Sequence, residues 1–307
     1  MFKSEIFSTF FLMKKVLILA VLILLGQNSW AQIRPFQTTR LLSTAGAGAA
    51  SILSTEASLL NPASTGFFNG SSFSYQSYKT TLQNENALRD VDFPKSNTSQ
   101  GLFISDNNGL VKGGVSYVSQ DENNFERERI VLNAAASVGQ ATSIGFNYSY
   151  LNDVLPKNYQ NRHRSHHQIT GGLTHIIDQD TILALVLVDP TRTTPGEERL
   201  IAGFQYTLAD RFTIIGDAGF QYTKNFSDQY QWAAAVQMNI FSDFFLRVGQ
   251  FYDNIQKFKG NGWGVAWMGP RFGIEFSQKY SEQFDSGYYV FLNEKIMDTG
   301  LSAIIKF

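Results

Sequence analysis

Tyr230-Gln231-Trp232-Ala233-Ala234-Ala235-Val236-Gln237-Met238-Asn239-Ile240 puts Tyr, Trp, Ala, Val, Met and Ile at even positions and Gln, Ala, Ala, Gln and Asn at odd ones. Successive side chains of an extended strand point to opposite faces, so this stretch has one large apolar face and one small, mostly polar face. The same period two recurs nearby. Ile144, Phe146, Tyr148 and Tyr150 oppose Ser143, Gly145, Asn147 and Ser149, while Phe272, Ile274 and Phe276 oppose Gly273, Glu275 and Ser277. Strands with one lipid-facing side and one wet side read this way. Composition agrees: 26 Phe, 13 Tyr and 25 Gly among 307 residues, only 17% charged, at a mean hydropathy of −0.14. A net charge of −1 gives no nucleic-acid footprint. The absence of cysteine rules out a disulfide framework and any thiolate metal site.

At the N-terminus, Lys14 and Lys15 precede the apolar run 16–25, followed by Gly26 and Ser29-Trp30-Ala31. Residues 1–31 read as a secretory signal peptide cleaved after Ala31, and Met13 opens a conventional signal on its own. The apolar run is too short for the ~20 residues of a membrane helix, and no later run approaches that length. An exported chain of alternating strands is expected to be an all-β, transmembrane antiparallel barrel, integral to the outer membrane, with both termini periplasmic.

Strands are expected near 70–78, 99–106, 110–119, 127–138, 142–151, 166–176, 181–189, 198–208, 211–222, 229–240, 243–253, 261–268, 270–279 and 299–307, fourteen in all. Their connections alternate long and short, as outer loops and periplasmic turns do. The short ones carry turn chemistry, such as Asp106-Asn107-Asn108-Gly109 and Ala209-Asp210. A further outer hairpin at residues 288–292 gives the alternative count of sixteen. The last strand sets Leu301, Ala303, Ile305 and Phe307 on one face, an expected C-terminal signal for the barrel assembly machinery. Before the first strand, residues 32–69 are small and apolar, unable to build a core of their own and suited to fill the lumen of the barrel at 70–307.

No catalytic motif stands out: the chain has no GxSxG elbow, HExxH pair or Walker loop, and neither an enzyme, a cofactor nor a metal is expected. Arg162-His163-Arg164-Ser165-His166-His167 reads as the solvated rim of an outer loop, its arginines disfavouring a cation. Asp121-Glu122-Asn123-Asn124 lacks the spacing and glycine of a calcium loop and reads as a wet loop. Asp217, Arg247 and Glu275 fall in mid-strand at the polar parity, which assigns them to the lumen as either an internal ion-pair network gripping the N-terminal segment or a polar path.

The run at residues 41–50, rich in Gly and Ala, followed by Glu56-Ala57-Ser58-Leu59-Leu60-Asn61-Pro62-Ala63, resembles the N-terminal hatch of the FadL-like barrels, and within them the short PorV and PorQ members of type IX secretion in Bacteroidetes. The resemblance covers about 30 residues; Ala45-Gly46-Ala47-Gly48 stands where a double glycine is usual. It implies a fourteen-stranded barrel with the hatch in its lumen, Asn61, Pro62 and Ala63 forming a structural hatch turn against the wall.

Two functions follow as expectations. The first is an accessory subunit of a protein-export or outer-membrane assembly machine, because 307 − 31 = 276 residues over fourteen strands leave little loop mass for a ligand chamber. Its partners are then outer-membrane lipids, the assembly machinery and other outer-membrane proteins. The alternative is a FadL-like passive transporter of hydrophobic molecules such as fatty acids, with Phe284, Tyr288, Tyr289 and Phe291 gathering substrate at the outer rim; it calls for a cavity of ~300 Å³ or more. A general diffusion pore is disfavoured by the segment in the lumen.

Overall fold

The computed structural model describes residues 34–52, 57–83, 96–109, 111–122, 125–155, 163–194, 196–226, 228–241, 243–284 and 295–307. Fourteen strands follow one another: β1 (Ser71–Leu82), β2 (Ser96–Asp106), β3 (Lys112–Glu122), β4 (Phe125–Val138), β5 (Thr142–Val154), β6 (His163–Ile176), β7 (Thr181–Val188), β8 (Arg199–Leu208), β9 (Phe212–Phe220), β10 (Tyr230–Phe241), β11 (Phe244–Asp253), β12 (Phe258–Met268), β13 (Phe272–Gln283) and β14 (Lys295–Lys306). Each pairs antiparallel with its sequence neighbours, and β1 pairs with β14 from Ser72↔Lys306 to Leu82↔Ile296, closing the barrel. Closure gives every strand a partner on both sides, the condition for crossing hydrocarbon without stranded backbone groups. Among the described residues the count is fourteen. Residues 288–292, on which sixteen rested, lie outside the described residues, as does the expected leader at 1–31.

The alternation sets the faces. On β10 the large side chains Trp232, Val236 and Ile240 are exposed on the outside while Ala235 is buried inside. On β5, Ile144, Phe146, Tyr148 and Tyr150 face out; Ser143, Asn147 and Ser149 are buried. Large apolar groups outside and amides and hydroxyls within reverse the distribution of a water-soluble domain and match a wall in contact with acyl chains.

Several strands run further from the short-turn end than the sequence suggested. Asp121 and Glu122, expected in a wet loop, belong to β3, because Asp121↔Glu126 and Glu122↔Phe125 continue the ladder and leave only residues 123–124 between β3 and β4. His163, Arg164, Ser165, His166 and His167, expected on a loop rim, belong to β6, paired from Val154↔His163 to Tyr150↔His167; Arg162 lies outside the described residues. Backbone pairing is indifferent to side-chain polarity, which is why a polarity reading ends these strands early.

Residues 35–52 and 57–67 lie against the inner side of the wall. A short helix, α1 (Thr39–Ser43), is capped by Thr38, whose hydroxyl accepts from the Leu41 amide, and packs on β11 to β14 and β1. A 3₁₀ turn at Pro62–Phe67 is capped by Asn61 and packs on β3 to β6. The wall makes room for this backbone with inward glycines. A Cβ on Gly262 would sit 2.1 Å from the Leu42 carbonyl oxygen, one on Gly249 2.4 Å from that of Thr44, one on Gly203 2.7 Å from the Ala50 nitrogen and one on Gly145 2.3 Å from the Ala63 nitrogen. No side chain fits at those distances, so glycine there is a requirement of close backbone approach.

Candidate functional site

The wall supplies hydrogen bonds to residues 35–52 and 57–67. Asp217 on β9 accepts from the amides of Gly48 at 2.7 Å and Ala49 at 2.9 Å through one carboxylate oxygen. Asn61 Nδ2 donates to the Ala49 carbonyl at 2.6 Å and to Thr174 Oγ1 on β6 at 2.8 Å, while its Oδ1 accepts from the Ala63 amide at 3.1 Å. Asn147 Nδ2 donates to the Ser58 carbonyl at 3.0 Å, and Gln76 Oε1 accepts from the Thr39 amide at 2.8 Å. Buried backbone groups of a non-repetitive segment demand such partners. Lumen-facing Asn, Gln, Ser and Thr at the period-two positions provide them.

Between this segment and the wall lies a cavity of about 180 Å³. Phe36, Leu41, Leu59 and Leu60 line it from the segment, and Val188, Ile201, Ala233 and Phe251 from the wall. Beside it Phe36 packs against Tyr78 and Phe103 at ring-centroid distances of 5.2 and 6.3 Å. Charged groups also border the space, among them the ion pairs Arg199–Asp253 and Arg129–Glu197. Arg199 Nη1 donates to Gln231 Oε1 and stands 3.6 Å from Asp253. The Lys279 ammonium lies 3.9 Å from the centre of the Phe251 ring and donates to Gln37. The volume is below the ~300 Å³ of a typical ligand pocket, yet above the ~150 Å³ that suffices for a benzene ring.

Glu197, from the β7–β8 connection (described at 189–194 and 196–198), lines one side of the cavity. Asp189, fully buried, accepts from the amides of Thr193 at 3.1 Å and Thr194 at 2.7 Å, and its carbonyl accepts from the Tyr222 hydroxyl at 2.6 Å. Glu197 is thereby carried into the lumen, where it meets Arg127 at 2.6 Å, Arg129 at 3.2 Å and Gln168 at 2.9 Å. Burial pushes the Glu197 carboxyl up, but the two guanidiniums and the amide outweigh it and hold the group down at about 2. Arg127 also grips Asp153 with two parallel bonds of 2.7 and 2.8 Å.

The three lumen charges singled out in the sequence are all buried, and among the described residues Asp217 is the one of them that hydrogen-bonds to the segment. Arg247 pairs with Glu275 at 2.8 Å and with Gln237 at 2.8 Å, and Glu275 accepts from Ser302 at 3.2 Å, so these two tie wall to wall. Asn61 and Ala63 are buried in the turn against β6 and β5. Leu301 and Ile305 are exposed on the outside of β14, in register with Ala303 between them, and the Phe307 amide donates to the Ser71 carbonyl at 2.9 Å. Phe284 stacks on Tyr252 at 4.7 Å; Tyr288, Tyr289 and Phe291 lie outside the described residues. His166 stands 3.9 Å from Asp153 within the lumen, while the His167 ring meets the Tyr148 hydroxyl at 2.6 Å on the outside. Among the described residues no three His, Asp or Glu side chains converge as metal ligands do. The Arg127, Arg129 and Glu197 cluster was not singled out in the sequence. Two arginines at the inward parity of β4 were the signal available, since neither can face lipid.

No family model matches the chain, and no curated protein matches it. Solved structures of the same fold do. The monoaromatic hydrocarbon channel CymD is similar with a TM-score of 0.63 at 13% identity, over 88% of this chain and 97% of its own. A FadL homologue from Pseudomonas aeruginosa gives 0.63 at 10%, over 89% and 99%. The toluene transporter TbuX of Ralstonia pickettii gives 0.60 at 12%, over 88% and 97%. The fold is that of the FadL-like barrels. The expected role as an export-machine subunit is overturned by these likenesses, which are to small-molecule channels and span nearly the full length of each. The loop-mass argument behind that role fails for a physical reason: the cavity is built by the wall and by residues 35–46 and 58–60, and needs no large loops.

Proposed function

We propose that this chain is a FadL-like channel of the outer membrane that admits small hydrophobic molecules passively, with residues 35–52 and 57–67 as the stopper in its lumen. The observation that carries the reading is the partly apolar cavity between Phe36, Leu59 and Leu60 on one side and Ile201 and Phe251 on the other, in a barrel of this fold. Its volume of about 180 Å³ suits a molecule the size of a single substituted ring and is too small for a long acyl chain in this conformation. On this reading the leader exports the chain, the short turns and both ends of the barrel face the periplasm, and the outward Leu301, Ile305 and Phe307 present the assembly signal. The long connections then face outward, with Phe284 at their base.

Uptake of radiolabelled toluene by cells expressing the protein tests this. Expression is expected to raise the initial rate, and Leu59→Trp, which puts an indole into the cavity, to return it to that of cells lacking the protein. An initial rate indifferent to expression of the correctly inserted barrel overturns the proposal.

A further inference from the structure

The inward face of the wall changes character across the cavity. On β8, Arg199 is followed at the next inward position by Ile201; on β10, Gln231 is followed by Ala233; on β11, Asp253 stands one inward position beyond Phe251. All six line the cavity, and the pairs Gln231↔Asp253 and Ala233↔Phe251 set its polar and apolar wall residues at two separate heights. Arg199, Gln231 and Asp253 lie at the strand ends next to the β7–β8, β9–β10 and β11–β12 connections, so the polar height is the one nearer those connections. Phe36 and Leu59 add apolar surface from the N-terminal segment. A bare hydrocarbon has nothing to offer the polar height, whose groups lose water when the cavity fills.

Arg199 is 8% exposed and uses only part of its guanidinium. Nη1 donates to Gln231 and stands 3.6 Å from Asp253. Nε and Nη2, the two donors of the other edge, have no hydrogen-bond partner among the described residues. That edge suits a carboxylate, two parallel N–H groups matching two oxygens. The same lumen shows it in use: Nε and Nη2 of Arg127 donate to the two oxygens of Asp153 at 2.7 and 2.8 Å. Buried donors without an acceptor are rare, and a guanidinium cannot shed its proton to escape the cost. The nearby acidic groups are engaged elsewhere. Glu197 is held by Arg127 and Arg129, Asp253 accepts from the amides of Ile255 and Gln256 at 2.8 and 2.9 Å, and Asp217 accepts from those of Gly48 and Ala49. Lys279, also lining the cavity, brings a further positive charge.

We propose that the cavity takes a small aromatic carboxylate, with its two oxygens on Nε and Nη2 of Arg199 and its ring against Ile201, Phe251, Phe36 and Leu59. One ring with one carboxylate suits a volume of about 180 Å³, and its two ends match the two heights of the wall. The inference rests on the reading of this cavity as the ligand site of the barrel, and narrows what it takes from hydrophobic molecules at large to those with an acidic head.

Calorimetric titration of the purified barrel in mild detergent with sodium benzoate at neutral pH tests this. Benzamide keeps the ring and loses the charge; acetate keeps the head and loses the ring. Benzoate is expected to bind about tenfold more tightly than either, the effect of one charged hydrogen-bonding partner. Arg199→Met should bring benzoate to the affinity of benzamide, and Arg199→Lys, which keeps the charge without the fork, should fall between. Unheated electrophoretic mobility confirms that each variant is a closed barrel, and where one does not close, the three probes on the unsubstituted protein decide. Benzoate bound no more tightly than benzamide, or no more tightly than acetate, overturns the proposal. So does an Arg199→Met barrel that binds benzoate as tightly as the unsubstituted protein. Toluene uptake separates this inference from the channel reading. Uptake raised by expression, with no benzoate bound, overturns the inference and leaves the channel; benzoate bound as expected, with no uptake of toluene, supports the site and overturns the channel.

Discussion

Replacing Asp217 by alanine should free residues 46–50 from the wall while leaving the wall intact. One carboxylate oxygen accepts from both the Gly48 and the Ala49 amide, and Ala49 is fully buried, so no solvent stands ready to replace it. Leaving a buried donor without an acceptor costs about 1–3 kcal/mol, or about 2–6 kcal/mol for the pair. Against this, the substitution removes a buried carboxylate whose other oxygen has no hydrogen-bond partner, and whose burial is itself unfavourable. A net loss of about 2 kcal/mol remains, roughly a thirtyfold rise in the local opening equilibrium. Amide hydrogen exchange read by mass spectrometry in detergent micelles measures it: peptides covering 46–50 should exchange some thirtyfold faster, and peptides from β8 and β9 at the parental rate. Asp217→Asn, which keeps one acceptor in place, should fall between. Exchange at 46–50 unchanged in Asp217→Ala would refute the reasoning, because it would mean that packing alone holds the segment.

Gly145→Leu places a Cβ 2.3 Å from the Ala63 nitrogen, so residues 61–67 should be displaced at a cost of about 3 kcal/mol or more and become cleavable by added protease. Gly216→Ala, with nothing within 4 Å of its Cβ, should leave the cleavage pattern unchanged. The Glu197 latch predicts a pH dependence. A carboxyl held at about 2 against an ordinary 4.5 stabilises the folded connection fully above pH ~4.5, and that contribution is lost as pH falls from there toward 2. Exchange at residues 189–198 should accordingly be flat from pH 7 to 5, after correction for intrinsic rates, and accelerate below. Glu197→Gln should remove the acid dependence; a steep change near pH 6 would count against the assignment.

The barrel was legible because period two is enforced by the two solvents of the wall. Tyr230 to Ile240 cannot be read as anything but a strand with one face in lipid, and closure follows from the need to pair every edge. Strand ends were not legible. Asp121, Glu122 and His163 to His167 are polar on both faces, so nothing in their chemistry distinguishes a ladder rising above the membrane from a loop. The site was legible in part. Asp217 betrayed itself as a charge at lumen parity, but its partners are backbone amides, which any sequence supplies. Gly145, Gly203, Gly249 and Gly262 each stood at lumen parity and looked like ordinary small polar-face residues. Only the approach of a second backbone shows why nothing larger is tolerated. The failed export reading has a similar origin, since chain length counts loops and says nothing of space enclosed between wall and segment.

The glycine seats also fix an order of events. The surfaces that receive residues 42–50 belong to β8, β9, β11 and β12, and the Gly48 amide meets its acceptor 169 positions further along the chain. Those residues leave the ribosome long before the surface they rest on exists, and local contacts give them nothing to hold meanwhile. What is made first is satisfied last. During the interval an apolar, backbone-exposed ribbon has to be kept from other chains, and the final strands of the barrel, in taking their places, are also what shelters it.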